Sequence, residues 1–72
     1  MHLRKLVKAK GYFDKAIELK PDFADAYYQL GILAEKEQNW KKAQSLYEKT
    51  INILPDHLDS LEALKKIKEK LE

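Results

Sequence analysis

Carboxylates come in pairs along this chain, Asp22 with Asp25 and Asp56 with Asp59. Paired carboxyls can carry acid–base chemistry, and the two histidines, His2 and His57, add groups that bind metals. Their surroundings point elsewhere. Each Asp pair follows a proline, Pro21 or Pro55, at the start of a helical pattern. A carboxylate there caps free backbone N–H groups and meets the positive end of the helix dipole. The histidines lie far apart, and neither has a second ligand at helical spacing. No Gly-rich phosphate loop is present and no nucleophile stands beside a base. With no cysteine in the chain there is neither a disulfide framework nor a thiolate metal site. The residues predict no enzyme, no metal and no cofactor.

Trp40 and the tyrosines could stack on bases, but Trp40, Tyr27 and Tyr47 fall in helical register with apolar neighbours and read as core. The first twenty residues carry Arg4, Lys5, Lys8, Lys10, Lys15 and Lys20 against Asp14 and Glu18, a net +4. A basic helix can meet nucleic acid or an acidic partner; a solvated lysine face is the plainer reading, and nucleic acid a distant alternative. The chain is 44% hydrophobic and 36% charged, rich in Lys, Glu, Leu and Ala, which marks a folded helical protein rather than a disordered one. At 72 residues it forms a single domain near the lower limit for a self-sufficient core. Apolar surface left open at its ends therefore matters. The longest apolar run is far short of a membrane span, and the N-terminus lacks the apolar region of a signal peptide, so a cytoplasmic setting is expected.

These residues need elements to hold them, and the pattern predicts four helices. Residues 3–19 space Leu3, Leu6, Val7, Ala9, Phe13, Ala16 and Ile17 on one face. Pro21 ends that helix, since it has no N–H to continue the ladder. Asp22 is expected to cap a second helix over 23–37, which buries Tyr27, Leu30, Gly31 and Ala34. Gln38–Asn39 breaks it, with Asn39 taking the left-handed conformation of a tight turn. A third helix over 40–53 offers Trp40, Ala43, Leu46, Tyr47, Thr50 and Ile51. Pro55 stops it, and Asp56 is expected to cap a fourth over 57–71 with the stripe Leu58, Leu61, Leu64, Ile67 and Leu71. Short turns make successive helices antiparallel neighbours.

The prolines stand 34 residues apart, and the echo extends beyond them. A shift by that interval brings Ala9 onto Ala43, Phe13 onto Tyr47, Ala16 onto Thr50 and Ile17 onto Ile51. It also brings Tyr27 onto Leu61 and Leu30 onto Leu64. A helix hairpin that cannot bury its apolar face alone repeats in this way. Gly31 is a further sign: Gly within a helix costs about 1 kcal/mol relative to Ala, which close helix contact, expected near Ala43, can offset.

The stretch "YYQLGILA…KKAQSLYEKTINILP" resembles a tetratricopeptide repeat. Tyr27, Leu30, Gly31, Ala43, Tyr47 and Pro55 match that family's pattern in register, while Ala34 and Thr50 depart mildly from it. The resemblance implies an all-α solenoid of antiparallel hairpins. Residues 1–21 would be the second helix of a partial repeat, 22–55 one complete repeat, and 56–72 a capping helix. Lys65 and Lys68 stand where the pattern has Gly31 and Ala34, which suits a solvated outer face.

The family's function implies a protein–protein interaction module whose concave face holds a peptide or helix. On this chain that face would be Asp25, Tyr28, Gln29, Ile32 and Glu35, continued by Asp59, Glu62, Ala63 and Lys66. Some relatives clamp a peptide's terminal carboxylate with Lys and Asn here; Tyr28, Ile32 and Asp59 occupy those places, so a basic–apolar segment suits the groove better. The first helix lacks its partner in this frame. Its stripe through Leu3, Leu6 and Phe13 is expected to lie partly open and to mediate self-association, most simply as a homodimer.

Overall fold

The computed structural model describes the backbone of residues 2–71 and the side chains of residues 7–71. Four helices follow in order: α1 (His2–Leu19), α2 (Ala24–Lys36), α3 (Trp40–Ile53) and α4 (Leu58–Leu71). No strand occurs among the described residues. Each helix packs on the next, α2 against α3 most extensively and α1 against α2 least. The result is a slab 29 × 28 Å across and 15 Å thick.

The two prolines perform the same local task. Phe23 N–H donates to the Lys20 carbonyl at 3.0 Å, and His57 N–H to the Leu54 carbonyl at 3.1 Å. Each bond closes a four-residue turn with Pro21 or Pro55 second, where the ring's fixed φ is already correct. The expected aspartate caps are not formed. The residue ahead of α2 is Phe23, which makes no side-chain capping bond, and Asp22 is spent in the turn. At α4 the cap is His57: its Nδ1 accepts the Ser60 N–H at 3.2 Å, and its carbonyl accepts the first helical bond, from Leu61. Asp25 and Asp59 do sit in the first turns of α2 and α4, where the dipole favours them.

Between α2 and α3 the left-handed residue is Gln38, with φ 60°, not Asn39. The helix ends one residue sooner than expected, which moves the turn. Gln38 N–H reaches the Glu35 carbonyl at 2.8 Å and Asn39 N–H the Ala34 carbonyl at 2.9 Å. These two bonds satisfy the last carbonyls of α2 in a Schellman turn.

Ala34, Ala43, Tyr47 and Ile67 form the buried centre, with Tyr28, Ile32, Trp40, Leu46, Ala63 and Leu64 packed around it. Gly31 is what lets α2 and α3 close. A Cβ there would lie 2.6 Å from a ring carbon of Tyr47, so the neighbour that requires glycine is the Tyr47 ring rather than Ala43. The α1 end is held differently. Ala9, Phe13, Ala16 and Ile17 are only half-buried, and Lys10 Nζ pairs with the Glu37 carboxylate at 2.6 Å.

α4 is rolled relative to the expected stripe. It buries Ser60 and Ile67 and half-buries Ala63 and Leu64. Leu58, Leu61 and Leu71 stay 72%, 41% and 38% exposed. The spacing 60, 63, 64 and 67 is itself helical: Leu64 and Ile67 face inward as expected, while Ser60 and Ala63 take the inward places expected of Leu58, Leu61 and Leu71. α4 meets only α3 closely, and the small side chains Ser60 and Ala63 permit that approach.

Candidate functional site

One face of α2 carries Tyr28, Ile32 and Glu35 at successive helical steps, and one face of α4 carries Asp59, Glu62, Ala63 and Lys66. The slab brings these two faces to either side of a cavity of about 250 Å³, floored by Tyr47 of α3. Seven of the nine residues expected on the concave face line this one space. Asp25, exposed, and Gln29, half-buried, lie outside its lining. A smaller cavity of about 100 Å³ opens where α1, α2 and α3 meet, beside Lys10, Asp14 and Lys42.

Tyr47 was read from the sequence as core alone. It is core, only 1% exposed, but its hydroxyl donates to Glu35 Oε1 at 2.5 Å. The floor of the groove thereby holds one of its wall carboxylates. The available signal was the hydroxyl itself: Phe13 fills the equivalent place in α1 without one, so packing alone does not require it. His57 was likewise missed. Its ring lies 4.9 Å from that of Tyr28, and Tyr28 in turn lies 5.7 Å from Tyr47, so three rings form a row beneath and beside the cavity.

The groove is electrically negative. Glu35, Asp59 and Glu62 face it against the single cation Lys66. Tyr28 registers that field: its hydroxyl is pushed above the ordinary tyrosine range by burial first, and then by Asp59, Glu35, Asp25 and Glu62. Tyr47 is pushed far higher, through burial, its hydrogen bond to Glu35 and the charge of that carboxylate. An aromatic and aliphatic centre with an acidic rim favours a ligand that is apolar and positively charged. Among the described residues, no three His, Cys, Asp or Glu side chains converge so as to hold a metal ion.

Residues 12–45 match the family model of the tetratricopeptide repeat. Over that stretch, just under half of its length, the chain is similar to a tetratricopeptide repeat. The matched stretch takes in the later part of α1, the whole of α2 and the beginning of α3, and so opens inside α1 rather than at residue 22, where the expected unit begins. The family implies a module for binding proteins. It also accounts for the aromatic–Leu–Gly run of α2 as repeat architecture.

The expected self-association patch is only partly within view. The side chains of Leu3 and Leu6 lie outside the described residues. Phe13 is half-buried, edge-on to Tyr12 with ring centres 5.5 Å apart. Among the described residues, the large apolar groups that stand open on α1 are Val7, Tyr12 and Leu19. No helix of the described residues is long and apolar enough to cross a membrane.

Proposed function

We propose that this chain is a non-catalytic interaction module that holds a basic–apolar peptide or helix of a protein partner in the groove between α2 and α4. The observation that carries this reading is the convergence of Tyr28, Ile32, Glu35, Asp59 and Glu62 on one cavity. Tyr28 and Ile32 supply the apolar anchor, since aromatic side chains contribute large contact area at small entropic cost. The three carboxylates select positive charge and speed encounter, an effect that salt weakens. Asp25 extends the negative field along the entrance.

Calorimetric titration of the chain with a synthetic amphipathic Lys/Leu peptide, beside its Glu/Leu counterpart, tests this. Binding of the first and not the second is expected, falling as salt rises. Tyr28→Ala with Ile32→Ala is expected to weaken it at least tenfold while circular dichroism stays that of the parent. Equal binding of both peptides, or unchanged affinity in the folded double variant, would place binding away from this groove.

A second reading, self-association through α1, is favoured by the exposure of Val7, Tyr12 and Leu19 on that helix.

A further inference from the structure

The basic–apolar segment that the groove suits is present in the chain itself. Lys8, Tyr12, Lys15 and Leu19 follow one another at steps of four, three and four residues, which is a single line along α1. All four are exposed, Tyr12 at 72% and Leu19 at 77%. The acids of α1, Asp14 and Glu18, fall on the adjacent line with Val7 and Gly11, so the lysine line is free of negative charge. Lys10 belongs to neither line; it is turned inward to Glu37.

We propose that the groove of one copy receives the Lys8–Tyr12–Lys15–Leu19 line of α1 from a second copy. This rests on the groove reading above and names its occupant. Charge complementarity favours it: two lysines that make no ion pair within the described chain meet Glu35, Asp59 and Glu62, none of which has a cation within 4.0 Å among the described residues. Tyr12 and Leu19 leave water against Tyr28 and Ile32. Lys66 opposes the incoming lysines and sets the line's position toward the Tyr28 end of the groove. The contact joins two different surfaces, so a two-fold axis that makes it twice closes a dimer.

Sedimentation equilibrium of the full chain, from low micromolar to millimolar, is the test. The mass is expected to rise from 8.5 kDa toward twice that value, with the rise shifting to higher concentration in salt. Two charge variants at exposed positions, Lys8→Glu/Lys15→Glu and Asp59→Asn/Glu62→Lys, are expected to remain monomeric alone and to associate when mixed. Circular dichroism of each establishes that it is folded. A parent that stays monomeric throughout, association that survives in either variant alone, or a mixed pair that fails to associate overturns the proposal. Titration of the same parent with the Lys/Leu peptide separates the two readings. A monomer that binds the peptide leaves the groove reading standing, and a monomer that does not loses both.

Discussion

Between α2 and α3, Gly31 lies under the ring of Tyr47; one repeat away the same two places are held by Lys65 on α4 and Phe13 on α1. The central pair is closed around buried small residues, with Ala26, Ala34, Ala43 and Thr50 at 0–1% exposure. At the two ends the helical pattern persists, but α1 only half-buries Ala9, Phe13, Ala16 and Ile17, and α4 leaves Leu58 and Leu61 open. Periodicity thus sets where helices begin and turn, while closeness of packing is decided at a few positions, above all Gly31 and Ala34 of the central pair, whose places one repeat on are taken by Lys65 and Lys68. The closest packing is concentrated in the middle.

The strongest blow to this contrast falls at Gly31. A Leu there must displace the Tyr47 ring, which is fully buried and hydrogen-bonded and cannot swing away. Overpacking of this kind costs about 1–3 kcal/mol and occasionally more, against a propensity gain of roughly 1 kcal/mol on removing Gly. Thermal denaturation of Gly31→Leu should show a large loss or no cooperative transition at all. A variant as stable as the parent would show that the central pair is not closed at this point.

Tyr47→Phe probes the same contact more gently. The ring stays and the bond to Glu35 goes. A hydrogen bond to a charged group contributes about 1.5–3 kcal/mol, and half-exposure of Glu35 reduces this toward the lower bound. Chemical denaturation should therefore show a loss of about 1.5 kcal/mol. The hydroxyl also gives stability a pH dependence. In the folded chain the proton of Tyr47 is held far more tightly than in the unfolded chain, where it leaves near pH 10. The unfolded state then binds fewer protons than the native one, so stability is full below about pH 10 and falls as pH rises beyond it. Tyr28 acts in the same direction. The phenylalanine variant should lose less on going alkaline than the parent; an equal loss would detach the effect from Tyr47.

Much of this was legible in the sequence. Helix limits expected at 3–19, 23–37, 40–53 and 57–71 are met to within a residue, because the prolines and the polar break leave the backbone no alternative. Convergence of the expected concave residues followed from the helical period once the hairpin repeat was recognised. What was hidden depended on rotation and on single atoms. Leu61 and Ser60 are adjacent, and only contact with α3 decides which turns inward. The caps went astray by one position: the turn consumes Asp22 and Asp56, and the imidazole of His57 takes the capping place. Tyr47 is both core and groove floor, and its hydroxyl, absent from Phe13 at the equivalent place, was the one sign of the second role.

Ser60 gives a sharper test of the α4 side. Its hydroxyl is buried with no hydrogen-bond partner among the described residues, and the equivalent residue on α2 is Ala26, also fully buried. Desolvating an unpaired hydroxyl costs about 1–3 kcal/mol. Ser60→Ala should stabilise the chain by about 1 kcal/mol, seen as a raised denaturant midpoint with unchanged slope. A destabilised variant would mean that the hydroxyl contributes a bond within the α3–α4 contact.

The smallest effect separates the ends from the middle most cleanly. Gly11 is the other glycine, in α1, and a Cβ there would meet nothing within 4 Å. Removing it should add helix propensity without any packing cost, about 1 kcal/mol if the whole gain reaches the folded state. How much reaches it depends on whether α1 unfolds with the rest. Repeat proteins lose stability element by element when neighbouring contacts are weak, and α1 has the least extensive contact of the four helices. Yet Phe13 and Ile17 are half-buried and Lys10 is tied to Glu37, which couples α1 to the turn that follows α2. Gly11→Ala should accordingly raise global stability by about 0.5 kcal/mol, part of the full propensity difference. Denaturation followed by circular dichroism and by Trp40 fluorescence in parallel reads this directly. Coincident curves, both shifted upward, place α1 inside the cooperative unit. A shift in the dichroism alone would show α1 folding on its own account, with the central pair indifferent to it.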